Sequence, residues 1–195
     1  MQGAQFYPPA LLPLIVCSLV WFAAISTGVL MVHTSVLVLL LFFILWYLGG
    51  KKSFRTYVLS IGYLFFAMPV WEPLMPILQL ITAKISYLVL NLLGVTTLLQ
   101  GTVITIPEGV FIVEESCSGL RYFNASLALG VFYAYLSFRK LYKILVCLLV
   151  SFIVPIVANW LRVGIIIYVG HLTEMTHPLV HDHINFGWFL YAIII

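Results

Sequence analysis

Long apolar runs fill the chain, and polar residues fall between them as punctuation. Pro8 to Val32 predicts a first spanning helix, and Ser35 to Leu48 a second, short one joined to it through His33. Gly49 to Arg55 breaks the pattern with three cations, and a third helix is expected from about Tyr57 to Met68, ending at Pro69. Trp71-Glu72-Pro73 reads as an interfacial anchor. From Leu74 to Leu93 the apolar run is interrupted by Gln79, Thr82, Lys84, Ser86 and Asn91, which predicts a helix lying in or dipping into the interface. The period then changes. Thr102 to Ile106 and Val110 to Glu114 are β-branched runs around Pro107-Glu108-Gly109, the pattern of a hairpin. Its open edges must lie outside the hydrocarbon. A helix from about Cys117 to Phe138 follows, then another from Ile144 to about Gly170. His171 to His183 is a polar loop with four histidines, and the final apolar segment starts at Ile184. That segment stops at Ile195, short of the ~20 residues a spanning helix needs, so the chain is expected to be cut within its last helix. The fold class is therefore all-α and integral to the membrane. It is a polytopic helical bundle of about six spanning segments with a short extracytoplasmic β-hairpin, forming one membrane domain over residues 1–195.

Composition supports this. With 64% hydrophobic and only 8% charged residues, the chain has too much apolar side chain for a soluble domain of 195 residues. Charge supplies orientation. Lys51, Lys52, Arg55, Arg139, Lys140 and Lys143 are six of the nine basic residues, and the positive-inside rule makes both of their loops cytoplasmic. His33 and all six acids, Glu72, Glu108, Glu114, Glu115, Glu174 and Asp182, then fall on the opposite side. No basic stripe suits nucleic acid. Cys17 and Cys147 sit within apolar runs as packing residues. The first apolar stretch is too long, and lacks a small-residue cleavage pattern, for a removed signal peptide.

Chemistry concentrates in Glu114 to Tyr122, where two acids, Cys117 and Arg121 meet the start of a helix. A helix beginning near Ser116 or Ser118 places Cys117 in its first turn, with Arg121 one turn further on the same face. There the thiolate, which is the reactive form of cysteine, is favoured. Helix rise sets depth: 22 residues separate Cys117 from Arg139, roughly 33 Å, and 19 separate Lys143 from Arg162, roughly 28 Å. The last helix starts at that same outer level with His183. Thiol, guanidinium and imidazole are the parts of cysteine acyl transfer: nucleophile, oxyanion stabiliser, and general acid or base. Bland readings stand beside these. Cys117 can be a small buried residue, and Arg162 a snorkelling arginine with Asn159 as a polar pair in the bundle. Arg121 suits a supporting role beside Glu114 or Glu115. Spacing does not choose His183 over His171, His177 or His181. A zinc protease is the weaker alternative, since no H-E-x-x-H motif occurs. A non-enzymatic transporter or assembly subunit is the third.

Three blocks in order, Glu115-Ser116-Cys117-Ser118-Gly119-Leu120-Arg121-Tyr122, Asn159-Trp160-Leu161-Arg162, and Asp182-His183-Ile184-Asn185-Phe186-Gly187-Trp188, resemble the signatures of the exosortase/archaeosortase family. The likeness runs from about Tyr63 to the end and is nearest to the bacterial exosortases of the PEP-CTERM sorting system. It implies a cysteine protease or transpeptidase with Cys117, Arg162 and His183 as catalytic residues; Arg121, Asn159 and Glu115 are expected in support. No cofactor and no metal are expected. The implied substrates are exported proteins with C-terminal sorting signals, cleaved at the outer face of the bacterial cytoplasmic (inner) membrane. A surface polysaccharide or lipid-linked acceptor is implied as the other partner, with membrane lipid around the bundle. The family usually has about eight spanning helices, a pair more than the six expected here.

Overall fold

The computed structural model describes residues 6–181 and 183–194, with the side chains at 51–56, 181, 183–185, 188 and 194 outside the described set. The chain is 79% helical, with one small sheet, so the architecture is that of a polytopic helical membrane protein. Four stretches are long and apolar enough to cross a membrane: Pro8–Thr27, Leu30–Gly50, Pro69–Leu92 and Leu141–Leu172. The six expected spans are thus four by that measure among the described residues, and Tyr57–Ala67 falls in the shorter class.

The chain divides into two compact units, Met1–Trp71 and Glu72–Ile195. In the first, α1 (Leu11–Thr27) ends where Gly28 turns left-handed, and α2 (Leu30–Tyr63) packs back along it. Trp21 stacks on His33 at this turn, with ring centroids 5.4 Å apart. At the other end of the pair the Tyr7 N–H donates to the Tyr47 carbonyl (2.9 Å). The break expected over Gly49 to Arg55 shrinks to one residue. Gly50 leaves helical geometry (φ 61°), and helix resumes at once on either side of the kink.

The second unit is built on α5 (Leu141–Leu172), whose 32 residues extend about 48 Å, well beyond a ~30 Å hydrocarbon layer. Helix α4 (Leu120–Ser137) folds antiparallel against it through the short link 138–140. Their backbones approach closely at Gly130, where a side chain would collide with Ser151, and the Cys147 thiol donates to the Gly130 carbonyl across the seam (3.7 Å). Helix α3 (Met75–Leu92) lies on another face of α5 and buries Thr82, Ala83, Ser86 and Leu90. Its register is informative. Thr82 accepts from Asn159 (3.4 Å), and Ile85, Val89 and Leu93 line a groove with Leu161, Gly164 and Tyr168. The two helices therefore run parallel, offset by about 76 positions. That raises the start of α3 by some ten residues, roughly 15 Å, from the Leu141 end of α5. Composition lets α3 cross, and its 18 residues run beside about 151–168 of α5. Its start, next to Glu72, is turned toward the Arg139–Lys143 end of α5 and its Leu92 end toward Leu172, so Glu72 does not share the outer level expected for it with the other acids.

The expected hairpin is a three-stranded antiparallel sheet, β1 (Leu98–Gln100), β2 (Val103–Ile106) and β3 (Gly109–Ile112), in that order. Strand β1 is the correction. Its three residues, Leu98 to Gln100, are too few to show alternation, and Gly101 supplies the left-handed turn (φ 62°) into β2. Ile104 and Ile106 bury themselves with Leu90 and Val95 of the α3 end and Val163 and Ile167 of α5. Beyond a short helix α6 (Pro178–His181), α7 (His183–Ile194) returns along α5.

Candidate active site

Cys117 lies in a separate 3₁₀ turn, Glu115–Cys117, and not in the first turn of α4, which starts at Leu120. Gly119 separates the two. It is left-handed (φ 84°), and a methyl group built on it would stand 2.8 Å from the Asn159 amide. Two constraints thus meet at Gly119: a conformation that L residues adopt only at a cost, and close approach by α5. The purpose of that approach is visible. Asn159 Nδ2 donates to the Cys117 carbonyl (2.8 Å) while also reaching Thr82 Oγ1. The Cys117 N–H donates to the Glu114 carbonyl (2.9 Å). The backbone around the thiol is therefore held from both sides. On the other side of this turn Gln79 Nε2 donates to the Val113 carbonyl.

The thiol is 7% exposed, and it opens on a cavity of about 320 Å³. Val163, Ile166 and Ile167 of α5 form one wall, and β3 with Val113 and Glu114 forms a second. Met175 and Val180 close the third. Among the described residues the polar neighbour of Cys117 Sγ is Ser116 Oγ at 3.8 Å, and Ser116 in turn reaches Glu114 Oε2 (3.5 Å). Mostly apolar walls give peptide side chains surfaces to pack against, and the open side beside Val110 and Ile112 gives access to the thiol.

Arg162 does not line that cavity. It is 3% exposed, in a cleft behind it with Asn159, Tyr122 and Gly187. Its guanidinium lies 5.6 Å over the Tyr122 ring, and a methyl on Gly187 would stand 2.7 Å from it. The Tyr191 hydroxyl, also on α7, donates to the Tyr122 carbonyl (3.2 Å). A guanidinium this enclosed is not snorkelling to bulk water. The His183 side chain lies outside the described residues; α7, which begins at that residue, brings Gly187 against Arg162 one turn later. Tyr122 and Gly187 stand in two of the sequence blocks, where neither was expected to take part in the site. The small residue one turn past His183 was the available signal for close helix approach.

Arg121 and Glu115 are exposed, and among the described residues no ion pair joins Arg121 to Glu114 or Glu115. Two of the loop histidines are engaged elsewhere. His171 Nδ1 pairs with Glu108 Oε2 at 2.8 Å, and this hydrogen bond holds the Glu108 carboxyl below the usual carboxylate range. The pair ties the β2–β3 turn to the end of α5. His177 Nδ1 accepts from the Leu179 N–H (3.1 Å). His181 and Asp182 lie outside the described side chains, and no group of three metal-ligating residues occurs among the described ones.

Gly119→Ala should destabilise the protein by about 1–2 kcal/mol from the backbone alone, and Asn159→Ala by about 1–3 kcal/mol from a buried carbonyl left unpaired. The double variant should cost less than the sum, because removing the amide removes the two closest contacts and leaves the residue 159 Cβ at 2.9 Å from the added methyl. Thermal unfolding of the four proteins in one detergent measures this; strict additivity would dissociate Asn159 from the Cys117 turn.

Fold and site together define a polytopic helical membrane protein with a buried, clamped thiol beside an apolar cavity. Over residues 2–195 the chain matches the family model described as transmembrane exosortase (Exosortase_EpsH), and it belongs to that family. Exosortases are membrane sorting transpeptidases that act on exported proteins with C-terminal sorting signals, and in those general terms the description applies to this chain. No curated protein and no solved structure matches it.

Proposed function

We propose that the protein is a cysteine transpeptidase that cleaves PEP-CTERM-type signals of exported proteins at the extracytoplasmic face of the bacterial inner membrane. The observation that carries this reading is the cavity ending on Cys117, at the α5 turn that also bears Arg162. In the proposed cycle His183 takes the thiol proton, and Cys117 Sγ attacks the scissile carbonyl. The C–N bond breaks, and the amine leaves with the proton held by His183. Arg162 donates guanidinium N–H groups to the negative carbonyl oxygen, reaching it from the cleft that adjoins the cavity at Asn159 and Cys117. An amine or hydroxyl of a surface polysaccharide or lipid-linked acceptor then attacks the thioester and restores the thiol. Sidedness follows from Arg139, Lys140 and Lys143, all exposed at the link between α4 and α5, far along α5 from Asn159.

The test is chemical. Incubated with a recombinant sorting-signal substrate, the purified enzyme should yield a hydroxylamine-sensitive acyl adduct that mass spectrometry places on Cys117. Iodoacetamide should block turnover and chelators should not. Inhibition by chelators with full activity after alkylation would replace this reading with a metalloprotease.

A further inference from the structure

We infer that the substrate is bound as an added β-strand on the free edge of β3, descending along it into the Cys117 cavity. This rests on the proposed cysteine chemistry and names how the peptide is held.

The ladder pattern identifies the free groups. The Val113 N–H donates to the Thr102 carbonyl, and the register continues through Ile104↔Phe111 and Ile106↔Gly109. In an antiparallel pair alternate residues exchange hydrogen bonds, so Gly109, Phe111 and Val113 face β2 while the N–H and C=O of Val110 and Ile112 point away from it. Strand β3 is the last strand of the sheet, and among the described residues nothing pairs with that outer edge. An unprotected edge is a template for another extended chain. Val110 and Ile112 are also 56% and 62% exposed, with no charge to repel a partner.

Continuity with the cavity selects the occupant. The same three residues, Val110, Phe111 and Ile112, line the cavity that ends on Cys117. A fourth strand beside β3 would alternate its side chains, one set turned toward Val163, Ile166 and Ile167, the other outward. Opposite the edge stands Met175, held in an unusual way. Glu174 and Met175 are both left-handed without being glycine (φ 48° and 64°), and the Met175 N–H caps the Gly170 carbonyl (2.9 Å). The turn carries the Met175 thioether over Gly109, where an added methyl would stand 3.0 Å from its Cε. Strain of this kind persists where surrounding structure enforces it, and a thioether is an adaptable wall for varied side chains.

Direction follows as well. The β2–β3 turn is level with His171 through Glu108, whereas Cys117 is level with Asn159, twelve residues and roughly 18 Å along α5. An exported protein with its C-terminal helix still in the membrane must run from the far level to the near one. It therefore lies parallel to β3.

Proline distinguishes the edge from the fold. Val110→Pro and Ile112→Pro remove outward N–H groups only, a placement that edge strands tolerate. Each should raise KM for the sorting-signal substrate by about tenfold or more, while iodoacetamide still labels Cys117. Geometry is read separately in a Cys117→Ala protein freed of its other cysteines. Val110→Cys or Ile112→Cys should form disulfides with single cysteines scanned along the substrate upstream of the cleavage site, strongly at every second position. An unchanged KM in the proline variants, or cross-links at helical spacing, or none because lipid fills the slot, would overturn strand addition. Failure of the wild-type enzyme to acylate Cys117 would instead defeat the cysteine reading, and the cross-linking pattern does not depend on it.

Discussion

Cys117→Ala abolishes processing of a co-expressed substrate, while Cys17→Ala and Cys147→Ala leave it largely intact: that is the result expected from the geometry. The three thiols occupy different surroundings. Cys147 bridges the α4–α5 seam by its bond to the Gly130 carbonyl, and Cys17 lies within the apolar helix α1. Cys147 also borders a cavity, of about 410 Å³, but it lies along the α4–α5 seam among Leu129, Phe132 and Val150, whereas the cavity at Cys117 is walled by β3 and α5 on a backbone clamped by Asn159. Removing a covalent nucleophile typically costs on the order of 10⁴-fold or more, because no other group takes over bond formation. Loss of one thiol at a site gripped through its backbone should leave membrane insertion unchanged, which immunoblotting of the membrane fraction checks. Quantitative release of the mature substrate by the Cys117→Ala protein would end the cysteine mechanism.

Much of this site was legible because membranes restrict what polar residues can do. A depth count along two helices brought Arg162 near the level of Cys117, and the bond from Asn159, one turn before Arg162, to the Cys117 carbonyl joins those levels directly. The sign of the link 138–143 gave the expected direction of α4 and α5. Three features escaped for physical reasons. The turn before α4 was misplaced because Ser116, Cys117 and Ser118 suit a helix start; the left-handed Gly119 that ends their turn is dictated by Asn159, forty residues away. Strand β1 carries too few residues to display a period. The offset of α3 is a packing property, set by which of its polar positions meets Asn159, and apolar content cannot report it. Gly187 shows the converse case, in which a residue without a side chain matters because of what occupies its place.

Arg162→Lys tests whether this buried cation acts on the reaction or only holds helices together. Two of its neighbours are known: the Tyr122 ring below and Gly187 of α7, so close that a methyl there would touch the guanidinium. Arginine presents several donors in a planar fork and keeps its charge at any working pH; lysine keeps the charge but loses both the fork and the stacking surface. If the fork serves the developing oxyanion, turnover should fall by an amount typical of a lost donor, on the order of 10²–10³, with a smaller change in KM. A structural arginine predicts a different pattern, in which thermal stability falls and kcat per folded enzyme is kept. Arg121→Lys supplies the comparison on an exposed residue of the same charge and should be much milder. Gly187→Ala adds a third arm, since it pushes on the guanidinium without altering its chemistry. It should lower turnover with the charge and the fork intact. Kinetics on proteoliposome-reconstituted variants, normalised to the fraction of Cys117 labelled by iodoacetamide, separate the outcomes. Near-normal turnover in Arg162→Lys would return the residue to helix packing and leave His183 as the sole proposed partner of the thiol.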